Sequence, residues 1–76
     1  MNKISEYRNK AKISQAVLAK ATGVMPSTIG NYESGIRNIN VDMCWKIVKA
    51  LNLLGVKCSF NDVFPDPHAN SNTTLE

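Results

Sequence analysis

Ser27, Thr28, Asn31 and Ser34 place four uncharged hydrogen-bonding side chains within eight positions, directly after Pro26. Hydroxyls and amides both donate and accept, which is the chemistry that base edges in the major groove of duplex DNA require. Ser27 and Asn31 are four apart, so on a helix they lie along one line and can face the bases together. Asn suits a bidentate contact to adenine N6 and N7, and Ser serves several bases. Pro26 offers only its ring, against a thymine methyl. Thr28 and Ser34 suit phosphate oxygens instead.

Such a row is useful only if a helix presents it. Residues 26–34 read as that helix, since proline fits the first helical turn, where its missing N–H costs nothing. Ile29 and Tyr32, three apart, mark the inward face. A shorter helical pattern, Gln15 to Thr22, precedes it, with Leu18 and Ala19 as its apolar centre. Ser14 is its N-cap and Gly23 its stop, the residue best suited to a left-handed helix C-terminus. Val24 between the two helices reads as a buried plug.

Leu18, Ala19, Gly23, Val24, Ile29, Tyr32, Glu33 and Gly35 match, in type and spacing, the helix-turn-helix of small phage repressors, Cro proteins and their bacterial relatives. The resemblance extends through Ile4, Tyr7, Arg8, Ile13 and Gln15 on one side and to Leu51 on the other. It implies an all-α fold, a compact bundle of about five short helices whose second and third form the helix-turn-helix. It also implies that the third helix enters the major groove, with Pro26, Ser27 and Asn31 at the bases. By the same resemblance Arg8 pairs with Glu33, tying the first helix to the third. Gln15, at a helix N-terminus that attracts phosphate, contacts the DNA backbone. Arg37 and Asn38 do so from the loop after Gly35.

Two features depart from the family pattern. Met25 stands where a Ser or Thr cap is usual, forgoing about 1 kcal/mol of capping. Gly30 inside the reading helix costs about 1 kcal/mol relative to alanine. Both soften it.

Charge is distributed unevenly. Residues 1–38 carry six Lys or Arg against two Glu, a net +4, whereas residues 39–76 carry three Lys against four carboxylates, a net −1. The positive half holds the motif, as attraction to phosphate requires, although a solvated surface could produce the same excess. Composition is ordinary for one small globular domain, 43% hydrophobic. No apolar run approaches the roughly 18 residues of a membrane span, and no secretory signal is legible, so the expected location is the cytosol. Cys44 and Cys58 lack metal-type spacing and read as buried thiols, and no metal or cofactor is expected. A single His68, without a paired thiol and base, supplies no catalytic constellation, so the chain does not read as an enzyme and has no evident small-molecule substrate.

The remaining elements read as supports. Residues 2–11 form a first helix around Ile4, Tyr7 and Ala11. Val41 to Asn52 forms a fourth, capped by Asn40, with Val41, Cys44, Val48 and Leu51 on its core stripe and Trp45 and Ile47 widening it. Ser59 caps a short fifth helix that Pro65 ends. The domain thus spans 1–64, and 65–76 reads as a flexible tail. Leu53, Leu54, Val56, Phe60 and Phe64 exceed what one terminal helix needs; they either close the core or form a protein interface. An interface fits the resemblance, because specific binding by so small a reader normally takes two copies on half-sites about 34 Å apart.

Two functions follow. The first is a sequence-specific, Cro- or repressor-like regulator of transcription on a double-stranded DNA operator, of the phage-switch kind, acting as a homodimer. The second is a protein-interaction module that grips a partner phage repressor in a hetero-complex and alters its DNA binding.

Overall fold

The computed structural model describes residues 2–65, and among these all regular structure is helical, without strands. The helices are α1 (Ile4–Lys10), α2 (Gln15–Thr22), α3 (Pro26–Ser34), α4 (Val41–Leu53) and α5 (Phe60–Val63). The expected tail lies outside the described residues from position 66 onward, as does His68.

Local chemistry starts and stops these helices. Ser14 accepts a hydrogen bond from the Val17 N–H (3.1 Å), and Asn40 accepts one from the Met43 N–H (2.8 Å). Ser59 and Asp62 form a reciprocal capping box around α5. The Ser59 backbone N–H donates to the Asp62 carboxylate at 2.9 Å, which holds that carboxyl below its ordinary value. Gly23 and Gly35 terminate α2 and α3 with φ of 79° and 81°, a left-handed conformation that disfavours any residue with a Cβ. Lys12 adopts φ 57° in the turn before α2, a strained choice for lysine.

The core gathers one stripe from each helix. Ile4, Leu18, Ile29, Ile47, Leu51 and Val63 are fully buried, each contributing about 1.5–3 kcal/mol by leaving water. Helix α4 buries the most, through Cys44, Ile47, Val48, Ala50 and Leu51. Val41 and Trp45, expected on that stripe, are 64% and 50% exposed. Val41 stands at the first position of the helix, beyond the reach of the core. Trp45 turns outward and lies against Phe60, ring centroids 4.7 Å apart. Val24 is only half-buried, packed against the core from the turn. Ala11, expected inside the first helix, is its exposed cap. Cys44 is buried and Cys58 half-buried; burial pushes both thiols above their ordinary value, leaving them protonated and poorly nucleophilic.

The candidate interface divides. Val56 belongs to the core: the chain turns at Gly55 and the Val56 N–H donates to the Leu51 carbonyl at 2.8 Å, folding its side chain onto α4. Leu54, Phe60 and Phe64 are partly buried against the same core. Leu53 stands 86% exposed. Among the described residues, no helix is long and apolar enough to cross a membrane.

Candidate nucleic-acid interface

Helix α3 is anchored through Ile29 and Tyr32, its two buried residues. With those facing inward, Pro26, Ser27 and Ser34 are exposed, and Thr28 and Asn31 are half-buried. The N-terminal end of the helix therefore stands out of the body, with Ser27 in solvent and Asn31 one turn behind it. The Ser34 hydroxyl donates to the Asn31 carbonyl (3.2 Å), which ties it to its own helix.

Three side chains fix the helix from beneath. The Glu33 carboxylate accepts from Arg8 Nε at 2.8 Å, from Arg8 Nη2 at 3.2 Å and from Gln15 Nε2 at 3.0 Å. A two-pronged guanidinium–carboxylate contact of this kind is directional as well as strong. Arg8 also donates through Nη1 to the Ile13 carbonyl (2.8 Å). The pair is sheltered, with side-chain exposures of 13% and 9%. It joins α1, the turn into α2 and α3 in one network.

Gln15, expected at the DNA backbone, thus spends one amide N–H on Glu33 and retains the other hydrogen and its oxygen. Its amide lies over Gly30, where an added Cβ would meet Gln15 Nε2 at 3.4 Å, an ordinary contact with a movable group. The glycine is therefore not sterically required. Gly30→Ala should raise stability by up to about 1 kcal/mol through helix propensity. A thermal melt at or below the wild-type temperature would contradict this.

Arg37 and Asn38 lie exposed in the loop after Gly35. The Arg37 N–H donates to the Asn31 carbonyl at 3.3 Å, so the loop folds back on the end of α3. Arg8 is neutralised by Glu33, and Lys10 lies 3.8 Å from Glu6. Among the described residues, Lys3, Lys12, Lys20 and Arg37 have no carboxylate at ion-pair distance.

Asn2 was not legible as a site-supporting residue. Its amide donates to the Tyr32 carbonyl at 2.8 Å, a second hydrogen bond beside that from the Gly35 N–H (3.2 Å), and so ties the start of the chain to the C-terminal end of α3. A contact spanning thirty positions leaves no periodic signal in the sequence.

A helix-turn-helix family model matches residues 4–55, well over half of the chain. The protein belongs to the helix-turn-helix family of the XRE type. Searches of curated proteins and of solved structures returned no match. Family membership makes it a DNA-binding regulator, with α2 and α3 as the motif.

Proposed function

We propose that the protein is a sequence-specific transcription regulator of the Cro and repressor kind, binding an operator in a phage-type genetic switch. Pro26, Ser27 and Asn31 read base edges, while Thr28, Ser34, Arg37, Asn38 and the free half of the Gln15 amide hold phosphates. Two copies occupy adjacent half-sites in the cytosol. The observation that supports this most is the presentation of α3: its uncharged face is exposed at the N-terminal end while Glu33, Arg8 and Gln15 fix its rotation.

Asn31→Ala should cost about 1–3 kcal/mol at one base position and leave the others alone. Affinity should also fall on the order of 10³-fold between about 50 and 200 mM salt if a pair of copies neutralises six or more phosphates. Titration of a duplex selected from a random pool, and of its single-base variants, measures both.

A second reading rests on the apolar surface outside the motif. Trp45, half-exposed and tilted against Phe60, with Leu53 in solvent and Leu54 and Phe64 beside the core, offers a face to another protein, either a second copy or a repressor partner. Binding through that face would respond little to salt. A Leu53→Asp variant that loses a protein partner while keeping its operator affinity would favour this reading.

A further inference from the structure

Met25 occupies the cap position of α3, yet no side-chain hydrogen bond caps the helix. Its backbone is fixed, because its carbonyl accepts from the Thr28 N–H (2.9 Å) and the Ile29 N–H (3.3 Å). Its side chain is not part of the core, a role that Val24 takes, and is 66% exposed. An isolated exposed methionine needs no explanation. This one stands at the outermost turn of the reading helix, beside exposed Pro26 and Ser27, where a capping hydroxyl would stabilise the fold.

We infer that Met25 is a specificity-determining residue, whose thioether chain packs against the C5-methyl of a thymine in the major groove. The inference rests on the proposed reading of DNA by α3. Thymine is the one base whose major-groove edge ends in an apolar group. A polarisable, unbranched side chain adapts to such a methyl without exact placement. Burying one methyl corresponds to about a fourfold change in affinity.

The test uses duplexes that the full chain selects from a random pool, with each thymine replaced singly by deoxyuracil. This removes the C5-methyl and keeps the base-pair edge. The wild-type chain should lose about fourfold at one thymine in each half-site. Met25→Ser should bind the thymine and uracil forms equally while melting at a higher temperature, since serine supplies the missing cap. Met25→Leu should keep the methyl preference. These opposite movements of stability and discrimination separate base contact from a folding role. If no thymine methyl matters to the wild type, the inference is overturned; if the preference survives in Met25→Ser, it is overturned too, and the methyl contact belongs to Pro26. A chain that selects no sequence from the pool overturns the parent reading, and this one with it.

Discussion

Glu33→Ala should lower stability by about 3 kcal/mol, more than any surface substitution, because it leaves a sheltered guanidinium without its counter-charge. The carboxylate accepts three hydrogen bonds from two other helices, and Arg8 is only 13% exposed. Water cannot replace those bonds without opening the seam between α1 and α3. A chain of this size has roughly 0.05–0.15 kcal/mol of stability per residue, so the loss takes a large share of the total. Arg8→Ala should cost a comparable amount, since Glu33 then keeps only Gln15 and the Ile13 carbonyl loses its donor. The double variant should cost little more than the worse single one, giving a coupling of about 2–3 kcal/mol. Denaturant unfolding of the four proteins measures it. Strictly additive losses would show that the two groups act independently. Should Glu33→Ala fail to fold, Glu33→Gln gives the same cycle with a smaller step.

The motif was legible because it is local. Gly23 at a left-handed cap, Pro26 at a first turn and Ile29 with Tyr32 on one face are each dictated within a few positions, and all stand where the spacing places them. The Arg8–Glu33 contact spans twenty-five positions and came only from resemblance; composition has no way to pair distant charges. Errors fell where tertiary packing overrides periodicity. Trp45 has helical spacing to the core stripe, but the interior behind α4 is already filled by Ile47, Val48 and Leu51, so the indole settles on Phe60. Val56 could not be assigned to core or interface from the sequence, because its burial depends on a chain reversal whose angle no pattern encodes. Gln15, expected at the DNA backbone, gave no sign in the sequence of its hydrogen bond to Glu33. Its partner comes from another helix.

Ile29→Ala provides the second large effect, and it separates folding from reading. Ile29 is fully buried and is one of two side chains that seat α3, whereas α4 has five. Truncating it removes transfer free energy and leaves a cavity, a loss of about 2–5 kcal/mol. For a domain this small, each 1 kcal/mol moves the melting temperature by about 4–8 °C, so a fall of at least about 10 °C is expected. Binding should weaken by a common factor across every duplex, with base preference unchanged, because the side chain faces the core and not the surface proposed to read the bases. Asn31→Ala should do the reverse, melting close to wild type and losing discrimination at one position. Melting curves, together with titrations against a selected duplex and its single-base variants, compare the two directly. A changed base preference in Ile29→Ala, with the melt unaltered, would mean that Ile29 rather than Asn31 faces the DNA and that α3 lies in the groove by its other side.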